Sequence, residues 1–352
     1  MTLIINPGST STKLAVYRNL EPLYSETLRH SSDELAAFAG IIEQFNYRRK
    51  IIMDALMKSG IRAAELDAVV GRGGILRPMP GGTYLVNEEM LRDLRAQARG
   101  AHASNLGGLI AQAIASEWGI PAYIVDPVCI DEMEPVSRIS GMPDNPRESL
   151  FHALNHKAVA RRAAAEMGKD YNEINLIVAH LGGGISVGAH SRGRVIDVNN
   201  ALAGEGPFTP ERSGGLPVGR FVEMCYSGLY TKEEMMKKLV GKGGLAAYLE
   251  TSDALAVEKR IAEGDSWARL VYEAMGYQVA KEIGACGAVL KGEVDAIVIT
   301  GGIAHSKLLV QWIKERVSFI APVKVFPGEN EMEALAAGGL RVLTGDEQAS
   351  IY

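Results

Sequence analysis

"LIINPGSTSTKLAVYRNLEPL" occupies residues 3–23, and "LIVAHLGGGISVGAHSRGRVIDV" occupies residues 176–198. Each runs from an apolar segment through a turn of small residues into a second apolar segment, then a polar turn and a third. The alternation in "KLAVY" (13–17) and "SVGAH" (186–190) suits hairpin strands with one buried face. A second echo follows in each half. "LDAVVGRGG" (66–74) and "VDAIVITGG" (294–302) both read as an acidic residue, a short apolar strand and a glycine pair. A strand that stops in glycines is where backbone can approach a ligand closely. The order of hairpin, helix, strand and glycine pair thus occurs twice. It predicts an α/β protein made of two similar domains by duplication.

The intervening segments read as helices. Residues 31–60 open on a capping candidate, Ser31 or Ser32, with Glu34 close behind. "NHKAVARRAAAEMG" (155–168) opens at Asn155 and closes on Gly168, and residues 265–292 form a long apolar helix. "NEMEALAAGGLRVLTG" (330–345) is rich in Ala and Gly, which predicts close helix packing.

A chain of 352 residues exceeds one ordinary core, so two domains are expected on length as well. The net charge of −5 gives no electrostatic footprint for nucleic acid or an anionic membrane. "NYRRK" (46–50) and "VARRAA" (159–164) read as solvated helix faces. The three cysteines, Cys129, Cys225 and Cys286, stand far apart, which argues against a disulfide framework or a zinc site and fits a reducing compartment. No apolar run approaches membrane-spanning length, and no basic segment precedes the first strand. A cytoplasmic protein is expected.

Several turns suit anions. In "NPGSTSTK" (6–13), Gly8 permits a tight turn, Ser9 to Thr12 supply hydroxyls, and Lys13 adds a point charge. The turn is not a P-loop, because Thr12 replaces the glycine before the lysine and a strand follows. In "AHLGGGIS" (179–186), three glycines expose backbone N–H groups with no side chains in the way. The spacing does not match the dinucleotide fingerprint, which disfavours a nicotinamide dehydrogenase. Arg72 and Arg212 each lie in a glycine-rich loop, a setting that favours anion binding. Asp126 closes a strand, as a base, a metal-water ligand or a cap. His152 and His156 share one helix face at i, i+4; His156 reads as a core histidine, while His152 and His180 adjoin candidate phosphate loops.

"INPGSTSTK" (5–13), "RGG" (72–74), "DPV" (126–128), "DEMEPVSR" (131–138), "FHALNHKAVAR" (151–161), "HLGGGIS" (180–186), "GPFTPERSGGLP" (206–217), "ITGGIA" (299–304) and "GENEMEALAAGGLRVL" (328–343) succeed one another along nearly the whole chain. In this order they resemble the acetate and butyrate kinase (acetokinase) family, on its butyrate kinase side. The resemblance implies two ribonuclease-H-like domains of the actin-like ATPase and sugar kinase superfamily, 1–148 plus 333–352 and 149–332, with a nucleotide cleft between them. It also implies reversible transfer of the ATP γ-phosphate to a short-chain carboxylate, with Mg²⁺ as cofactor, in a homo-oligomer of two or more chains.

The roles it implies are these. Asn6, Ser9, Ser11 and Lys13 would contact phosphate or the Mg²⁺ shell, and Glu331 would hold Mg²⁺ through water. Arg72 would hold the substrate carboxylate, and Asp126 would orient the acyl group or a metal-bound water. His152 and Arg212 would bind the moving phosphoryl group, with His180 beside it. Gly182, Gly183 and Gly184 would follow the nucleotide phosphates, and Asp253, Gly301, Gly302 and Ile303 would surround the adenosine. Gly74, Phe151 and Ala203 would line the acyl pocket, where small residues at 74 and 203 leave room for a longer or branched tail. Leu255 stands where relatives carry an arginine, with Arg260 as a possible substitute.

Overall fold

The computed structural model describes residues 1–202 and 204–352. Ala203, expected in the acyl pocket, lies outside them. The chain forms two compact units, Met1–Ile130 with Asn330–Tyr352, and Asp131–Glu329. The first unit carries strands β1 (Thr2–Pro7), β2 (Ser11–Arg18), β3 (Glu21–Arg29), β4 (Ala68–Arg72), β5 (Thr83–Leu85) and β6 (Ala122–Val125). The second carries β7 (Asn175–Leu181), β8 (Ile185–Ser191), β9 (Arg194–Val198), β10 (Ala296–Gly301) and β11 (Val323–Pro327), and β12 (Ser350–Ile351) belongs to the first again.

The sheet orders are β12-β5-β6-β4-β1-β2-β3 and β11-β10-β7-β8-β9. In each unit an antiparallel three-strand meander is extended by two parallel strands, β4 and β6 beside β1, and β10 and β11 beside β7. The two quoted stretches are these meanders. β1 and β10 are buried along their whole length, as continuous apolar runs at a sheet centre must be, whereas the edge strand β3 is charged and mostly exposed.

In the first unit one sheet face, with Leu3, Ile5, Val69 and Ile124, packs on the helices Phe45–Ser59 and Asn105–Trp118. The helix Glu331–Thr344 lies on the sheet so closely that a Cβ on Gly338 or Gly339 would overlap Val125 or Val70. Its Ala and Gly content therefore serves close packing. In the second unit Val271, Met275, Val279 and Ile283 of the helix Ser266–Val289 cover Ile177, Val187 and Ile297. Helix Ala153–Glu166 covers Val178 and Val298 on the other side.

Two local readings change. The single helix expected over 31–60 is broken: Ser31 caps Ser32–Ala36 in a capping box with Glu34, and the helix restarts at Phe45 beyond Gly40. The helix expected to open at Asn155 begins at Ala153, with His152 at its N-cap position. Residues 131–148 belong with the second unit, because their polar groups find partners there. Glu132 pairs with Lys157 at 2.8 Å, and the Ser137 hydroxyl donates to the Ile196 carbonyl at 3.0 Å. No helix among the described residues is long and apolar enough to cross a membrane.

Candidate active site

Two clusters form, one in each unit. In the first unit, Asn6 stands next to the end of β1, and the pairing Asn6↔Lys13 puts both side chains on one sheet face. Asn6 is buried, whereas Lys13 and Ser9 are exposed and Ser11 is half-buried. Arg48 fixes the turn between the strands from below. It is 1% exposed and donates to the carbonyls of Gly8 (2.8 Å), Ser9 (3.0 Å) and Ser11 (3.2 Å) and to Thr12 Oγ1 (3.0 Å). The residue at the N-cap position of its helix, Gln44, accepts from Arg48 Nε through its amide oxygen at 3.0 Å. The expectation of a solvated face at "NYRRK" fails here because one arginine satisfies a turn that no regular ladder can.

Arg72 ends β4. Its Nη1 pairs with Glu331 Oε1 at 2.6 Å and donates to Asn6 Oδ1 at 3.3 Å, while Asn6 Nδ2 donates to Glu331 Oε2 at 2.8 Å. Three residues far apart in sequence thus close a triangle at the ends of two central strands and the start of the last helix. Asp126 follows β6 with a positive φ of 39°. Its N–H donates to the Gly82 carbonyl at 3.0 Å, and its Oδ1 accepts from the Gly82 N–H at 2.8 Å. A buried carboxylate in a left-handed backbone conformation, clamped twice to one residue, is a position held at some cost.

Gly74 departs from its expected role. A Cβ there would overlap Asn105, and would come within 2.8 Å of Leu94 Cδ2. Its missing side chain admits the helix Asn105–Trp118, and does not open space for an acyl tail.

In the second unit, His152 and His180 stack with ring centroids 3.9 Å apart and planes 9° from parallel. Asn155 Oδ1 accepts from His180 Nδ1 at 2.7 Å and its amide nitrogen donates to the Glu329 carbonyl at 2.9 Å. Gly182 to Gly184 make the tight turn between β7 and β8, closed by Gly182 N–H donating to the Gly184 carbonyl at 3.0 Å. Beside Gly183 an added Cβ would meet only Glu211 Oε1, at an ordinary contact distance of 3.9 Å. At Gly184 a Cβ would overlap Arg212 Nη1 and sit 3.2 Å from His152 Cε1, so guanidinium and imidazole both abut this glycine.

Arg212 is held by its own loop. Its N–H donates to Thr209 Oγ1 at 3.0 Å, Thr209 Oγ1 donates to the Gly183 carbonyl at 2.7 Å, and Arg212 Nη1 donates to the Ala201 carbonyl at 2.6 Å. Its buried Nε has no partner among the described residues. Burial pulls the guanidinium pKa downward, with Glu211 opposing. A buried cation with an unused N–H has donor capacity left for an anion.

A cavity of about 320 Å³ in this unit is lined by Gly183, Glu211, Asp253, Leu255, Gly302 and Ile303, among others. Gly302 has open space where a side chain would stand. Gly301 is different: at φ 90° its Cβ would overlap the backbone of Leu181, so it joins two strand ends. Asp253 Oδ1 accepts from Leu255 N–H at 2.9 Å and caps the helix Ala254–Ala262. Arg260 is committed to Asp265 at 2.7 Å and to the Leu249 carbonyl at 2.9 Å, and so is not available to replace an arginine at 255. Phe151 is buried, its ring edge-on to His156 at 5.1 Å. His156 is the core histidine its pattern suggests, bonded to His190 and Ser186.

Arg48, Asn155 and Ser186 were not legible as site residues. Only the i, i+3 spacing of His152 and Asn155 hints at a common surface.

The acetokinase family model matches residues 146–336. Butyrate kinase 2 of Clostridium acetobutylicum is 58% identical over 350 residues, 99% of this chain and 98% of that protein. Butyrate kinase 1 of the same organism is 57% identical over 99% of each. Among solved structures, the acetate kinase of Porphyromonas gingivalis superposes with a TM-score of 0.79 at 20% identity, over 97% of this chain and 99% of that one. The paired meanders, the glycine turns and the full-length likeness agree: the chain belongs to the acetokinase family.

Proposed function

We propose that this protein is a butyrate kinase, transferring the γ-phosphoryl group of ATP directly and reversibly to butyrate or a branched short-chain fatty acid to give an acyl phosphate. The observation that carries the reading is the likeness, over almost the whole chain, to two butyrate kinases.

The chemistry suits the residues. A carboxylate is already ionised at neutral pH, so no general base is required. The barrier is repulsion between two anions, and the remedy is placed positive charge and alignment. Arg72 would take the incoming carboxylate in exchange for that of Glu331. Arg212, through Nε and its free donor capacity, would hold the transferring phosphoryl group together with His152, and His180 would support that ring by stacking. Backbone N–H groups of Gly183 and Gly184 would meet the nucleotide phosphates, with Gly182 closing the turn that presents them. Asp253, Gly302 and Ile303 would receive the adenosine, with Gly301 setting the turn. Ser9, Ser11 and Lys13 would face phosphate, and the clamped Asp126 would orient the acyl group. Phe151 would shape the acyl pocket from behind.

Mg²⁺ binds by one or two carboxylates together with substrate phosphates and retained waters. Glu331 and Asn6 offer one carboxylate and one amide oxygen, a donor set that fits contact through water. The ion would neutralise charge on the nucleotide phosphates.

Hydroxylamine trapping with MgATP tests the reading across acetate, propionate, butyrate, isobutyrate and valerate. Acyl hydroxamate is expected to peak at four or five carbons. Each buried CH₂ contributes about 0.8 kcal/mol, so butyrate should exceed acetate by roughly tenfold or more in kcat/KM. No hydroxamate from any acid, in a protein that still binds ATP, would remove the proposal; a phosphorylated sugar in its place would point to hydroxyl-directed transfer.

A further inference from the structure

Behind His152 the second unit holds a continuous file of side-chain hydrogen bonds that the chemistry above leaves unused. Tyr171 Oη lies 2.8 Å from His190 Nδ1, and His190 Nε2 lies 3.2 Å from His156 Nδ1. His156 Nε2 is 2.9 Å from Ser186 Oγ, which is 2.9 Å from His152 Nδ1. His156, His190 and Ser186 are fully buried, and Tyr171 nearly so.

We infer that Tyr171, His190, His156 and Ser186 are positioning residues that present His152 to the phosphoryl group as a neutral ring with its proton on Nε2. The inference rests on the phosphoryl-transfer reading of this site.

The two middle rings are held toward the neutral form. Burial is the largest cause, pushing both well below the usual imidazole range. Lys157 and Arg161 add to it: they lie over the Tyr171 ring at 6.0 and 5.6 Å and oppose positive charge on His190. Glu132 is paired with Lys157, and Glu329 Oε1 stands 3.8 Å from Nε2 of His180. A neutral imidazole has one N–H, so a ring that donates on one side must accept on the other. Ser186 Oγ has two acceptor lone pairs, so three arrangements make all four bonds: the file running one way, its reverse, and one in which Ser186 accepts from both imidazoles and its own hydrogen finds no acceptor in the file.

Tyr171 excludes the reverse, and the buried Ser186 hydrogen, whose hydrogen-bond neighbours among the described residues are His152 and His156, excludes the third. A phenol is the stronger donor and an imidazole nitrogen the stronger acceptor, so the Tyr171 O–H donates to His190 Nδ1. His190 Nε2–H then donates to His156 Nδ1, His156 Nε2–H to Ser186 Oγ, and the Ser186 hydroxyl to His152 Nδ1. His152 is left with its proton on Nε2, the nitrogen not engaged by the file. The His180 ring stacks on it at 3.9 Å between centroids, and Arg212 supplies the cation beside it. Orienting groups behind a reacting histidine act in this way, by fixing the tautomer.

The test uses the full-length protein labelled with ¹⁵N-histidine, with His152 assigned through His152→Gln. His152 should show a protonated Nε2 and an unprotonated Nδ1. Ser186→Ala should move the His152 proton toward Nδ1 and lower kcat roughly tenfold, with both KM values held within about twofold. Tyr171→Phe keeps the ring and the fold, and should shift the same resonances with a kcat loss of about threefold. A parent enzyme with the His152 proton on Nδ1 would overturn the inference. So would variants that lose kcat while the His152 resonances stay put. A parent that makes no acyl phosphate but shows Nε2–H would sink the kinase reading alone.

Discussion

Arg212→Ala is expected to lower kcat by roughly 10²–10³, with much smaller changes in KM, as loss of a donor used in the transition state does. The guanidinium is placed before any substrate arrives. Thr209 fixes its backbone, the Ala201 carbonyl takes one Nη1 hydrogen, and Nε is buried with no partner among the described residues. Such a group gives up little water and needs little reorganisation when charge spreads over a transferring phosphoryl. Arg212→Lys would keep charge and lose the planar fork, so it should recover only part of the rate. Gly184→Ala tests the same geometry from the other side, because the added methyl would overlap Arg212 Nη1 and press on His152. It should lower kcat, because both groups would have to shift from the places they hold. If Arg212→Ala kept kcat and only raised KM, Arg212 would be a ground-state binder and the phosphoryl role would fall to His152.

Why some of this was readable in the sequence, and some not, follows from what each residue does. The meanders and the central strands were readable because burial on a sheet imposes an alternation or a continuous apolar run on the residues themselves. Asn6, Arg72 and Arg212 were readable because polar or charged groups beside glycines at strand ends make poor core material. Arg48 was not, since an arginine that feeds three turn carbonyls has the same helical neighbours as one in water. Ser186, His190 and Tyr171 were not, because their hydrogen bonds join residues that no local period relates. Glycine was the most ambiguous letter. Gly302 has open space and Gly183 only one neighbour at contact distance, whereas Gly74 and Gly301 lack side chains because another element occupies that place.

The same ambiguity yields the largest stability effect. Gly107→Ala is expected to destabilise the protein by about 3 kcal/mol or more, the upper part of the range for overpacking a core. In the helix Asn105–Trp118, a Cβ at Gly107 would overlap the Arg72 carbonyl oxygen, and one at Gly71 would overlap the Gly107 carbonyl oxygen. Helix and strand touch backbone to backbone, so neither can yield by turning a side chain. Against this stands the helix propensity gained on replacing Gly by Ala, about 1 kcal/mol, which the overlap exceeds. Gly284→Ala provides the control: it lies in the helix Ser266–Val289 with nothing within 4 Å of an added Cβ, and should raise the thermal midpoint. The same substitution thus has opposite signs at two helical glycines. Gly107→Ala should also raise KM for the carboxylate, because the atom displaced belongs to Arg72, whose guanidinium is held by Glu331 and Asn6. A thermal midpoint equal to the parent's would show that the strand and helix can part freely. A lowered midpoint with an unchanged carboxylate KM would show that Arg72 keeps its place independently of the backbone beneath it, and would move the carboxylate-holding role away from this end of β4.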